Sequence, residues 1–145
     1  ILTDRNKVGP STIKDAIKSI KKKKVLGIFP EGGITSTVLS TAKPGAIFIA
    51  SKAKAKILPV SISGGDNAWD DMLKGMRSRI TVNIGRPFGP FEIKGPKDEK
   101  MAKLEDHSRR LMCRIAALLP DERHGIYAND KRIEKYRSEN DLKLF

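Results

Sequence analysis

The sequence predicts an α/β domain: a mostly parallel sheet flanked by helices and incomplete at its N-terminus. Apolar runs that read as strands, at residues 25–29, 57–62 and 79–84, alternate with segments of helical period. Such alternation is what parallel strands joined by crossover helices produce. The chain opens on Ile1-Leu2 with neither an initiator methionine nor a signal-peptide pattern, so it reads as a fragment entered in mid-strand. Three strands and a stub are few for such a sheet, and further strands are expected upstream. The 145 residues amount to one domain at most. Residues 1–120 carry its alternating elements, and 121–145 form a polar C-terminal tail.

Taken in order, Asp4-Arg5-Asn6 ends the apolar stub, and Gly9-Pro10-Ser11 breaks the chain with Ser11 placed to cap a helix. Ile13, Ala16, Ile17 and Ile20 then recur at helical spacing, which predicts an amphipathic helix over residues 11–23. Lys21 to Lys24 stand at its C-terminal end, where cations suit the helix dipole. The strand 25–29 follows directly, and Pro30, without an N–H, ends its ladder. A hydroxyl-rich loop carrying Thr35, Ser36, Thr37, Ser40 and Thr41 leads to a small-residue helix over 46–55, apolar nearly all round and so buried. Pro59 gives the strand 57–62 an edge, a bulge or a break. Gly64-Gly65-Asp66-Asn67 is a turn. Trp69, Met72, Leu73 and Met76 mark a short helix or lid, and residues 79–84 alternate as a strand until Gly85-Arg86-Pro87. The longest helix runs over 97–119, with Met101, Leu104, Ser108, Leu111, Met112, Ile115, Leu118 and Leu119 on one stripe and Pro120 at its end. In the tail, Ile126, Tyr127, Ile133, Tyr136, Leu142 and Phe145 are scattered anchors.

Composition narrows the function classes. No stretch approaches the ~20 apolar residues of a membrane-spanning helix. A lone cysteine, Cys113, forms no internal disulfide and falls on the apolar side of the long helix, which reads as a buried small hydrophobe in a reducing, cytoplasmic setting. Two histidines and no clustered thiols assemble no zinc site. Lys and Arg number 29 against 17 Asp and Glu, a net charge of +12, and such a field attracts polyanions: nucleic acid, anionic lipid or phosphorylated substrates.

The most informative residues are Phe29-Pro30-Glu31-Gly32-Gly33. They place one carboxylate at the C-terminal mouth of a strand, where open α/β sheets bind ligands, with glycines that permit a sharp turn or close approach. An ordinary strand-to-loop turn with a solvated Glu is the plain alternative for this motif alone.

Five motifs in order then resemble the glycerolipid acyltransferase family, specifically the 1-acylglycerol-3-phosphate acyltransferases. They are Leu2-Thr3-Asp4-Arg5-Asn6, Phe29-Pro30-Glu31-Gly32, Lys43-Pro44-Gly45-Ala46, Ile57-Leu58-Pro59-Val60-Ser61-Ile62 and Ile84-Gly85-Arg86-Pro87. The resemblance covers residues 1 to about 120, making them the C-terminal part of an acyltransferase domain, and stops in the tail. Two departures stand out. The family follows Pro-Glu-Gly with Thr-Arg-Ser where this chain has Gly33-Ile34-Thr35, so one cation near the phosphate is missing. The family's catalytic His-x-x-x-x-Asp, which lies upstream of the Asp-Arg element, does not occur here. Five residues after His107 is Met112, and five after His124 is Asn129; both histidines read as solvated.

The resemblance implies transfer of a fatty acyl group from acyl-CoA or acyl-carrier protein to 1-acylglycerol-3-phosphate, in phospholipid biosynthesis at the cytoplasmic face of a membrane. It makes Glu31 a catalytic-site residue and Arg5, Glu31, Gly32 and Lys43 the acceptor-binding set. Arg5 suits phosphate through its bidentate fork, with Lys43 second. Glu31, which would repel phosphate, either accepts a hydrogen bond from the acceptor's glycerol hydroxyl or holds Arg5 in place. The general base would be the missing histidine, so the chain alone is expected to be inactive. No metal or bound cofactor is implied, and the expected partners are lysophosphatidate, an acyl thioester and an anionic membrane surface. Two rivals remain: a non-catalytic lipid-binding relative, and a basic nucleic-acid-binding module, which 6% aromatic residues leave short of stacking platforms.

Overall fold

The computed structural model describes residues 9–33 and 36–140. In chain order these form α1 (Pro10–Lys21), α2 (Gly45–Ala53), β1 (Val60–Ser63), α3 (Ala68–Leu73), β2 (Thr81–Ile84), α4 (Lys97–Ala116), single 3₁₀ turns at Asp121–Arg123 and Gly125–Tyr127, and α5 (Arg132–Asn140). Helix α4 is the pillar. Of its predicted stripe, Leu104, Ser108, Leu111, Met112 and Ile115 are buried, Met101 in the first turns is exposed, and Leu118 and Leu119 are buried just past the helix end at Ala116; Cys113 is fully enclosed. Against it pack α2 through Ile47, the loop residue Leu39, and Tyr127, Ile133 and Tyr136 from beyond Pro120. Helix α1 lays Ala16 inward and packs on α2. It starts two residues earlier than a Ser11 cap would give: Gly9 is the N-cap, and Pro10 occupies the first turn, where its missing N–H costs nothing.

The structure corrects or adds to the expectations at three points. First, the described residues hold a single sheet of two strands, antiparallel, with Val60 opposite Ile84 and Ile62 opposite Val82. The mostly parallel sheet is not seen among them. Residues 25–29, expected as a strand, form no regular element and join no ladder with a described neighbour, and Val25 is 99% exposed. A strand needs a backbone partner, and local sequence cannot supply one. Second, the hairpin turns its polar residues inward. The Ser61 hydroxyl (3.0 Å) and the Asn83 amide (2.8 Å) both donate to the Leu118 carbonyl, just past the C-terminal end of α4. That leaves Val60, Ile62, Val82 and Ile84 on the outward face, each at least 39% exposed. The bonds satisfy a buried carbonyl that has no helical partner, and with period-two alternation they fix which face points out.

Third, the scattered anchors of the tail are core. Tyr127, Ile133 and Tyr136 are buried, whereas Ile126 is exposed, and Leu142 and Phe145 lie outside the described residues. Arg114 of α4 stacks its guanidinium between Phe88 (4.7 Å) and Tyr136 (4.0 Å) and bonds Glu139 at 2.9 Å, pinning α5 to α4. His124, read from sequence as solvated, is 3% exposed, its Nε2 3.2 Å from the Leu119 carbonyl. No described helix is long and apolar enough to cross a membrane.

Candidate active site

The Pro-Glu-Gly turn is tied back on itself. Gly32 donates its N–H to the Phe29 carbonyl at 3.0 Å and adopts φ +80°, a conformation glycine reaches without strain. Eleven residues after Gly32, the Lys43 N–H donates to the Pro30 carbonyl at 2.8 Å. The Lys43 side chain folds over the turn so closely that a Cβ on Gly32 would stand 2.7 Å from its Nζ. Glu31, half-buried, receives two donors on one oxygen: the backbone N–H of Ser40 at 2.5 Å and the Ser40 hydroxyl at 3.0 Å, both to Oε1. Hydrogen bonds to a charged group contribute about 1.5–3 kcal/mol each, enough to fix the carboxylate in one pose. Glu31 Oε2 makes no hydrogen bond among the described residues.

What holds Ser40 in place comes from beyond Pro120. Leu39 is buried and exchanges backbone bonds with this segment: its N–H donates to the Arg123 carbonyl at 3.0 Å, and its carbonyl accepts from Ile126 at 3.4 Å. The approach is so tight that a Cβ on Gly125, at φ +53°, would meet the Leu39 carbonyl oxygen at 2.1 Å. Arg123 donates to the Thr37 carbonyl at 3.2 Å and pairs bidentately with Asp66, which ties the loop to the turn after β1. The Tyr127 phenol reaches the backbone of Ala42. Burial pushes that phenol above the ordinary tyrosine range, with the Ala42 contact opposing and the nearby Glu31 charge adding to the rise. Beside these residues a mostly apolar cleft of about 220 Å³ opens between Thr41, Ala42, Pro44 and the α4 residues Ser108 and Arg109.

Of the residues predicted from sequence, Glu31, Gly32 and Lys43 are therefore brought together on one closed loop, and Arg5 lies outside the described residues. Sequence reasoning missed Ser40, Arg123, Gly125 and Tyr127. The hydroxyl-rich run flagged the neighbourhood of Ser40 but could not say which hydroxyl meets Glu31. His107 packs on Phe91 with ring centres 4.5 Å apart, and burial, then Arg110, lowers its pKa. His124 lines a different pocket, with Asp121 and Asp130. Neither is part of the Glu31 loop. Among the described residues no group of three or more His, Cys, Asp or Glu could hold a metal.

Comparison with known proteins fits this geometry. The model of a family described as Acyltransferase matches residues 1–63, a span that includes Arg5, the Glu31 turn, Lys43 and β1. A 1-acyl-sn-glycerol-3-phosphate acyltransferase of Bacillus subtilis (strain 168) is 34% identical over 104 residues, which are 71% of this chain and 50% of that protein. The enzyme of the same name from Streptococcus pneumoniae (strain ATCC BAA-255 / R6) is 33% identical over 132 residues, 89% of this chain and 45% of its own length. The chain belongs to the glycerolipid acyltransferase family. It spans about half the length of the curated relatives it matches. No solved structure matches the chain. The second relative's match covers most of the chain, including residues past 120, where the motifs of the acyltransferase resemblance stop.

Proposed function

We propose that this chain forms the acceptor side of an acyltransferase that moves a fatty acyl group from an acyl thioester, acyl-CoA or acyl-carrier protein, to the free hydroxyl of 1-acylglycerol-3-phosphate. The relatives' names support the reaction class. The observation that carries the site assignment is the Ser40 clasp: a carboxylate fixed by two donors on one oxygen, with the other oxygen unbonded among the described residues and an ammonium folded over the adjacent turn. In this reading Glu31 Oε2 accepts a hydrogen bond from the acceptor hydroxyl or orients Arg5. Lys43 and Arg5 neutralise the acceptor phosphate, which a carboxylate alone would repel.

The proton of the attacking hydroxyl must go to a base, and general-base catalysis contributes about 10²–10⁴-fold. No His-x-x-x-x-Asp occurs in the 145 residues, and both histidines have other surroundings. The base is thus proposed to come from outside these residues, and the chain alone to be inactive. A fold completed by further strands, with 25–29 pairing among them in a mostly parallel sheet, belongs to the same proposal. The site would face the cytoplasmic surface of an anionic membrane, favoured by the net charge of +12. The missing motif also favours a second reading, a lipid-binding relative without catalysis. A transfer assay separates them: labelled acyl thioester and lysophosphatidate are given to the 145-residue chain and to a longer form that includes the family's histidine motif. Turnover by the longer form alone supports the proposal. Turnover by the chain itself refutes the role given to the missing base, and binding without turnover by both supports the second reading.

A further inference from the structure

The connection between β1 and β2 meets the Glu31 loop only indirectly, through Asp66 and Arg123, and the rest of it has no part in the proposed site. It is pinned at its base. Gly64, at φ +84°, lets the Arg79 carbonyl oxygen approach to where a Cβ would be 2.0 Å away, so the two ends of the loop touch backbone to backbone. Asp66 is held by Arg123, and the Ser78 hydroxyl donates to Asp71, closing the loop on itself. The tip that these contacts hold outward is apolar. Trp69, Met72 and Leu73 fall at spacings of three and four on α3, which puts them on one face, and Met76 follows just past the helix end, beyond Gly75 at φ +69°. They are 74%, 55%, 81% and 53% exposed. Four large exposed apolar side chains within eight residues of one held-out loop are more than solitary exposed residues explain.

The charges around the tip identify what it fits. Lys74, Arg77 and Arg79 are exposed, and none makes an ion pair among the described residues. Arg109, Arg110, Arg114, Arg123, Arg132 and Arg137 are all paired. Asp70 of the same segment is exposed, while Asp71 is taken up by Ser78. An indole and aliphatic side chains rimmed by free Lys and Arg match the boundary between headgroups and acyl chains, where tryptophan is enriched and basic residues meet anionic lipid.

We propose that this excursion is a membrane-insertion loop, seating Trp69, Met72, Leu73 and Met76 at the acyl boundary of an anionic bilayer while Lys74, Arg77 and Arg79 contact its headgroups. The inference rests on the membrane-surface reading above and assigns that surface to one segment. It would bring the site to the interface where a lysophospholipid acceptor resides. Trp69 is the only tryptophan of the chain, so its emission reports on this loop alone.

The test incubates the purified 145-residue chain with vesicles of phosphatidylcholine, with or without phosphatidylglycerol. Co-sedimentation reports binding, and Trp69 emission and its quenching by brominated acyl chains report insertion. Anionic vesicles are expected to sediment the chain, blue-shift the emission and expose Trp69 to the bromine. Leu73→Ser is expected to weaken partitioning roughly tenfold, the scale of one apolar side chain withdrawn from water, with unchanged thermal unfolding. Sedimentation with unshifted, unquenched emission would overturn the loop assignment and leave the membrane-surface reading standing. No sedimentation at low salt would defeat both. Emission already blue-shifted without vesicles, and dependent on protein concentration, would show a second copy covering the tip and overturn the proposal.

Discussion

Glu31 can offer a ligand only what Ser40 leaves free. Both Ser40 donors converge on Oε1, so removing the hydroxyl keeps the backbone bond and loosens the pose without abolishing it. Ser40→Ala is therefore expected to lower kcat/KM for the acceptor roughly tenfold in a transfer-competent form of the protein, on the scale of one charge-assisted hydrogen bond. Ser40→Thr, which retains the hydroxyl, should restore most of it. Unchanged kcat/KM in Ser40→Ala would reduce the clasp to a turn buttress. Arg5→Ala should raise the acceptor KM and leave the donor KM alone, because a bidentate phosphate contact concerns only the acceptor; a rise confined to the donor KM would reassign Arg5. Cys113 makes the opposite kind of case. Burial, then the Asp130 charge, pushes its thiol up to about 12, so it is protonated at neutral pH and enclosed. The native chain should resist alkylation at pH 7 and react only on unfolding; rapid native labelling would contradict that burial.

Between elements, the decisive contact joins the Leu39 loop to the turn at Gly125. Backbone meets backbone there, so nothing flexible can yield to a Cβ, and φ +53° adds strain for any other residue. Gly125→Ala is expected to cost a few kcal/mol, read as a lower melting temperature, and to reduce transfer activity by displacing Ser40. A silent Gly125→Ala in both measurements would show that the tail does not position the site. This contact also shows why only part of the molecule could be read in advance. Helices α2 and α4, the short α3 and the strand β2 were legible because apolar spacing of 3.6 or 2 is local information. The state of residues 25–29, the inward turn of Ser61 and Asn83, and the burial of Tyr127, Ile133 and Tyr136 depend on partners far along the chain. In the site, the turn at Glu31 was legible from Pro30 and the glycines, and Lys43 from the resemblance. The Ser40 clasp depends on how a loop closes, which no spacing rule encodes.

For the whole molecule, charge sets two responses. Hydrogen bonds from Arg123 and Arg137 hold Asp66 and Asp121 below the ordinary carboxylate range. Burial pushes Asp130 up, but Arg109 and the Arg132 N–H together bring it below that range. A carboxylate lowered on folding stabilises the fold above its unfolded value and loses that contribution as pH falls through its folded value. His107, whose pKa burial lowers, adds a loss at higher pH, so the melting temperature should begin to decline as pH falls below about 6.5 and drop further below about pH 4, as a pH series of thermal unfolding would record. A curve flat from neutrality down to about pH 5 would show that His107 takes up its proton as readily in the fold as out of it. Association with anionic vesicles should weaken as salt screens the +12 charge, with the remainder held by the Trp69 loop. The central claim, that the Glu31 carboxylate serves acyl transfer rather than the turn, meets its most direct test in Glu31→Gln. The measurement is kcat/KM for lysophosphatidate beside thermal unfolding of the same variant in a transfer-competent form. The account predicts a loss of roughly 10²-fold, about 2.7 kcal/mol, with the melting temperature within a few degrees of the parent. Near-parental kcat/KM, or an activity loss matched by a large drop in melting temperature, would contradict it.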